Sequence, residues 1–201
     1  MEIENLNNKY LDILKELGNI GAGNAITALA TMLNQKIDMK IPKVKIMDFT
    51  QLQEIFGLPE TIIAGIYFNL EGSINGNILF SLDIESAAFL VEYLMGVKVN
   101  NKFDEMAKSA LQEIGNIMAG SYISSLSTLT SLSMKISPPA ICIDMAGAIL
   151  SVPAIKFGEL SDKILFIETQ FSEGNKQIQG DFFLIPDIDS FNLILDSLGV
   201  E

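Results

Sequence analysis

Histidine is absent from the 201-residue chain, and cysteine occurs once. Without an imidazole, the Ser-His-Asp and Cys-His arrangements that activate a nucleophile are excluded. Histidine-ligated metal sites are excluded with them. Any chemistry must come from carboxylates, amides, hydroxyls or a lysine, or from groups borrowed from a partner. The lone thiol, Cys142, can form no intramolecular disulfide, which fits a reducing cytoplasm. Within Ala140-Ile141-Cys142-Ile143 it reads as a small buried hydrophobe. Basic charge is also scarce: 13 Lys and Arg stand against 25 Asp and Glu, a net charge of −12. That argues against a nucleic-acid surface, which needs clustered cations, and against docking on anionic lipid. No apolar run reaches the roughly 18 residues of a membrane span. The start, Met1-Glu2-Ile3-Glu4-Asn5, is acidic and unlike a signal peptide. The chain therefore reads as cytoplasmic, with neither nucleic acid nor membrane as a partner.

What is present is a core-forming composition, 49% apolar and 19% charged, enough for one domain or for two halves sharing a core. One stretch occurs twice. Asp12-Ile13-Leu14-Lys15-Glu16-Leu17-Gly18-Asn19-Ile20-Gly21-Ala22-Gly23 is matched by Ser109-Ala110-Leu111-Gln112-Glu113-Ile114-Gly115-Asn116-Ile117-Met118-Ala119-Gly120. Glu16 aligns with Glu113, Gly18 with Gly115, Asn19 with Asn116 and Pro42 with Pro139, all at an offset of 97 residues. Such self-similarity dictates architecture and takes precedence over local readings.

Each copy reads as an amphipathic helix. At about 100° per residue, Asp12, Glu16 and Asn19 fall within roughly 60° of one another, with Ile13, Leu14, Leu17 and Ile20 opposite. Ser109, Glu113 and Asn116 form the matching polar face of the second copy. The first helix is expected to run from the capping residues Asn5 to Asn8 as far as Asn34. A strand follows over Lys43 to Phe49, then a short helix over Gln51 to Phe56. Ile62 to Leu70 and Ile74 to Leu82 form a hairpin around Glu71-Gly72-Ser73, with Asn75-Gly76 as a competing turn. A helix over Ile84 to Met95 closes the half, and Lys98 to Lys102 is the polar joint.

The second half replays this order. A helix covers Asp104 to Leu132, a strand Ala140 to Met145, and a short helix Ala148 to Val152. A hairpin of Ile164 to Phe171 and Gln177 to Ile185 turns around Glu173-Gly174-Asn175. A last helix runs from Ser190 to Leu198 and stops at Gly199. From the hairpins onward the offset is 104 residues, as in Gly76 to Gly180 and Asp83 to Asp187. About seven residues are therefore inserted before the second hairpin. The expected fold is α/β: an internally duplicated, pseudo-twofold domain with an antiparallel sheet and two long amphipathic helices on one face. It spans residues 1–201 as a single domain of two repeats, about 1–100 and 101–201.

A glutamate and an asparagine on a wet helix face are usually only solvated. Here their neighbours on the same arc differ between the copies: Lys15 is replaced by Gln112 and Asp12 by Ser109. Glu and Asn stand in both, which favours a role for that pair. Weaker signals carry less. Gly21-x-Gly23 lacks the preceding strand and the Lys-Ser/Thr pair of a phosphate loop. Asp83 with Glu85, and Asp187 with Asp189, sit at helix starts, where capping accounts for them. Pro42, Pro138 and Pro139 read as structural.

Asp12-x3-Glu16-x2-Asn19-x22-Pro42 and Ser109-x3-Glu113-x2-Asn116-x21-Pro138, with Pro139 at x22, resemble the signature of the CheC/CheX/FliY phosphatase family. The likeness covers essentially the whole chain. Two complete motifs look like the CheC branch, since CheX usually keeps one. No extra C-terminal domain of the flagellar-switch type is visible, which speaks against FliY. The resemblance implies hydrolysis of the aspartyl phosphate of the chemotaxis response regulator CheY. Mg²⁺ would be held by CheY, and no cofactor by this chain. Carried over residue by residue, Asn19 and Asn116 would position the attacking water. Glu16 and Glu113 would anchor the docked partner by pairing with its active-site lysine. Two alternatives stay open. One is a non-enzymatic adaptor that docks phosphorylated CheY and regulates the receptor deamidase CheD. The other is a structural component of the flagellar motor.

Overall fold

The computed structural model describes residues 8–40, 43–48, 59–99, 103–157, 163–173 and 176–198. The expected helix over Gln51 to Phe56 lies outside them, as do Asn5 to Asn7, Pro42, Gly174-Asn175 and Gly199. The first half comprises α1 (Asn8–Leu33), β1 (Asp38–Met39), β2 (Lys43–Asp48), β3 (Ile62–Gly72), β4 (Gly76–Asp83) and α2 (Ile84–Met95). The second comprises α3 (Glu105–Thr130), β5 (Met134–Ile136), β6 (Ala140–Met145), α4 (Ala146–Phe157), β7 (Lys163–Glu173), β8 (Lys176–Pro186) and α5 (Ile188–Ser197).

The helix starts follow from capping chemistry. Asp83, Asp104 and Asp187 each accept a backbone N–H three residues on, at 2.7, 2.8 and 2.7 Å. These bonds satisfy donors that a helix N-terminus leaves without an internal partner. The expected capping role of Asp83 and Asp187 is thus observed. Both long helices stop at a small polar residue with left-handed backbone, Asn34 (φ 52°) and Ser131 (φ 57°). The short strands β1 and β5 follow them, too brief to leave a periodic signature. The first hairpin turns through Ser73-Ile74-Asn75, between the two turns weighed from the sequence, with Leu70 set against Gly76. The short helix after β6 is longer than expected, 12 residues beginning at Ala146.

Among the described residues all pairings are antiparallel, and eight strands run β1-β7-β8-β4-β3-β5, with β2 also on β7 and β6 also on β3. Strands β4 and β8 pair at the centre. Their register sets Leu79 against Phe183, two positions related by the same 104-residue offset. A twofold axis through that pair would superpose the strands. Outward from the centre, each hairpin receives its next strand from the other half: β6 joins β3, and β2 joins β7. One buried cluster draws on both halves, including Leu29 of α1, Leu90 of α2, Leu111 and Tyr122 of α3, and Phe191 of α5. From the sheet it takes Ala64, Ile66, Phe68, Ile78, Phe80, Phe182 and Leu184.

The opposite sheet face is buried as well. Asn77, Leu79, Ser81, Asp181 and Phe183 are all 5% exposed or less. Part of this face is covered by α4, whose Ile149 side chain packs over Gly65. Strand β4 is consequently buried on both faces, so it shows none of the in-and-out alternation of a half-exposed strand. Cys142 corrects its sequence reading: it is exposed rather than buried. It sits on β6 opposite Gly65 and lines a shallow recess of about 310 Å³ with Tyr67, Asp144 and Ile149.

Candidate active site

The repeated helices are seated by glycine. A Cβ on Gly115 would lie 2.8 Å from Cδ1 and 2.9 Å from Cγ2 of Ile66 on β3. Only a bare Cα lets α3 settle this deeply on the sheet. Glu113 and Asn116 lie roughly 160° and 100° around the helix from that buried point. Both are exposed. Gly18 is buried at the matching position of α1, and Glu16 is exposed. The two helices then meet one turn further on. A Cβ on Gly21 would fall 2.5 Å from the Tyr122 ring, and Asn24 Nδ2 donates to Ser125 Oγ at 2.8 Å. Tyr122 is fully buried against Phe182, with ring centroids 4.5 Å apart. Burial pushes its hydroxyl pKa far above the usual phenolic range.

The copies differ at the asparagine. Asn116 is exposed, whereas Asn19 is half-buried and its Oδ1 is buried with no hydrogen bond from the protein. The expectation that both amides face outward alike is corrected on this point. Equal helical positions thus differ in exposure. Glu113 and Asn116 open into a groove of about 660 Å³ with Met95, Met106, Ser109, Ala110, Gln112, Pro138 and Pro139. Met106 is 67% exposed and offers an apolar contact beside the carboxylate. In the second copy Gln112 Nε2 donates to the Pro139 carbonyl at 2.9 Å. In the first, Lys15 pairs with Asp12 at 3.1 Å on the surface. Of the groove walls, Ser109, Pro138 and Pro139 belong to the motif read from the sequence, while Met95, Met106 and Ala110 do not. Gln112 stood out in the sequence only as a departure from Lys15, and Met95 lies ten or more residues from the motif.

The chemistry available is limited and specific. An exposed carboxylate and carboxamide one helical turn apart can accept and donate hydrogen bonds to a docked surface. Among the described residues there is no group of three Cys, Asp or Glu placed to hold a metal ion. No helix among them is long and apolar enough to cross a membrane.

Fold and site together describe an α/β scaffold with an antiparallel sheet that carries a Glu-x2-Asn pair on each of two long helices. The model of the CheC-like family matches this chain twice, at residues 10–46 and 106–143, the two segments that carry those helices. CheY-P phosphatase CheC of Bacillus subtilis is 35% identical over 96% of this chain and 95% of its own. The chain belongs to the CheC-like family. Among solved structures, Thermotoga maritima FliY superposes with a TM-score of 0.76 at 22% identity, covering 97% of this chain and 98% of that one. CheX in the CheX-CheY-BeF3-Mg²⁺ complex of Borrelia burgdorferi gives 0.53 at 23% identity, over 82% and 94%. Both likenesses are of fold.

Proposed function

We propose that this protein hydrolyses the aspartyl phosphate of a CheY response regulator. The observation that carries the reading is Asn116 standing exposed beside Glu113 in a groove open to a protein surface. The name of the Bacillus relative, and the presence of CheY with BeF3 and Mg²⁺ in the CheX complex, support the substrate. They also support a Mg²⁺ ion that belongs to the regulator.

An acyl phosphate has a good leaving group, so catalysis is largely a matter of placing water in line with the bond to be broken. The Asn116 amide suits this task. Its Oδ1 accepts a hydrogen bond from the water and its Nδ2 donates nearby. The water oxygen bonds to phosphorus, the bond to the aspartyl oxygen breaks, and the carboxylate leaves with its electron pair. Glu113 pairs with a lysine of the regulator. Covering that pair on docking strengthens it beyond an exposed surface bridge. Glu16 is exposed for the same docking role in the first copy, while the buried Oδ1 of Asn19 makes that amide the weaker water-positioning group.

The test is loss of phosphate from phosphorylated CheY with substoichiometric protein. Replacing both Asn19 and Asn116 by Ala should reduce the acceleration by on the order of 10²-fold, the scale of a lost positioning group. Asn116→Ala alone should remove more of it than Asn19→Ala, because the Asn19 carbonyl oxygen is buried. A folded double variant with normal turnover refutes the proposal. A protein that only held the regulator would leave the phosphate lifetime unchanged or lengthen it.

A further inference from the structure

We infer that Gln112 is a positioning residue of the second site, setting the wall against which the regulator docks; this rests on the function proposed above. The wall is the Ser137-Pro138-Pro139 segment between β5 and β6. Its first end is tied to β3 twice. Ser137 N–H donates to the Asn69 carbonyl at 2.9 Å, and Ser137 Oγ accepts from Asn69 N–H at 2.9 Å. Its far end is tied to α3 by Gln112 Nε2, which donates to Pro139 O at 2.9 Å. The two prolines between have restricted φ and no N–H of their own. Their carbonyls are therefore the only backbone groups left to hold them: that of Pro138 accepts from Ser137 Oγ at 3.1 Å within the segment, and that of Pro139 is the one tied to the helix. Gln112 immediately precedes Glu113, and Pro138 and Pro139 line the same groove as Glu113 and Asn116. One hydrogen bond thus couples the wall to the helix turn that bears both functional side chains.

The first copy handles the position differently. Lys15 turns toward Asp12, at 3.1 Å, along the surface of its own helix. The residue between the polar pair and the wall is thus a place where the two sites diverge in how they receive a partner.

Gln112→Glu keeps the size of the side chain but removes the donor and sets a carboxylate against a carbonyl. Gln112→Lys keeps a donor that can reach Pro139. The expected result for Gln112→Glu is a KM for phosphorylated CheY raised about three- to tenfold, the scale of one lost hydrogen bond, with kcat nearly unchanged. Hydrogen exchange in the segment spanning residues 134–141 should quicken, and Gln112→Lys should restore both readouts. An unchanged melting temperature would separate this from a general loss of structure. Unchanged exchange in Gln112→Glu overturns the inference whatever the activity. An unchanged KM alongside an active wild-type protein overturns it too. A wild-type protein that does not speed phosphate loss refutes the underlying function instead, and exchange alone then decides whether Gln112 holds the wall.

Discussion

Asp181 should make the stability of this protein fall as pH rises from acid toward neutrality. The residue lies on β8 between Ser81 of β4 and Glu168 of β7. It is 5% exposed, and its Oδ1 takes no hydrogen bond from the protein. Burial first, then the charges of Glu168 and Asp83, push its pKa from 3.8 to about 7. Glu168 itself pairs with Lys43 at 3.0 Å. The sign follows from linkage. The folded-state pKa is raised, so the fold binds a proton that the unfolded chain gives up near pH 4. Below pH 4 both states are protonated and the site carries no penalty. Between pH 4 and pH 7 the unfolded chain ionises first and stability falls. Above pH 7 both are ionised and the penalty is constant. The rise from 3.8 to about 7 corresponds to about 4 kcal/mol. The perturbation is Asp181→Asn, which is nearly isosteric and does not titrate. Urea unfolding of both proteins at pH 4, 5, 6, 7 and 8, read as the variant minus wild type, cancels most other titrating groups. The variant should gain little at pH 4 and up to about 4 kcal/mol by pH 8. Parallel stability curves over this range would refute the argument.

Two further outcomes test the packing. Gly21→Ala places a methyl 2.5 Å from the ring of fully buried Tyr122. Overpacking costs about 1–3 kcal/mol, partly offset by about 1 kcal/mol of helix propensity. A net loss in melting temperature is expected, and a more stable variant would show that the α1–α3 contact is looser than described. Cys142, exposed on β6, should react stoichiometrically with an aromatic disulfide reagent in native buffer. A thiol that appears only after denaturation would place β6 in a different environment.

Much of the fold was legible because it is local. Met95 and Gly96 end a helix whose apolar spacing is plain, and β6 occupies Ala140 to Met145 as its apolar run suggests. The hairpin turn was harder, since Gly72 and Gly76 offer rival signals and the observed turn falls between them. Exchange of β2 and β6 between the halves has no local signature. Neither has the burial of Ser81 and Asp181, whose residue types ordinarily mark exposed positions. Cys142 misled for the opposite reason. Its apolar neighbours suggest a core, yet β6 lies outermost beside β3 and leaves it exposed.

At the site, periodicity alone determined which helix face bears Glu16, Asn19, Glu113 and Asn116, because side-chain direction on a helix follows from 3.6 residues per turn. The repeat also determined that there are two such faces. Tertiary structure decided what each face became. Asn19 and Asn116 occupy the same place in the same motif, yet they differ in exposure. One amide has its carbonyl oxygen covered, and the other opens on a groove walled by Pro138 and Pro139. Solvent exposure depends on what arrives from elsewhere in the chain, and a local pattern holds no record of that.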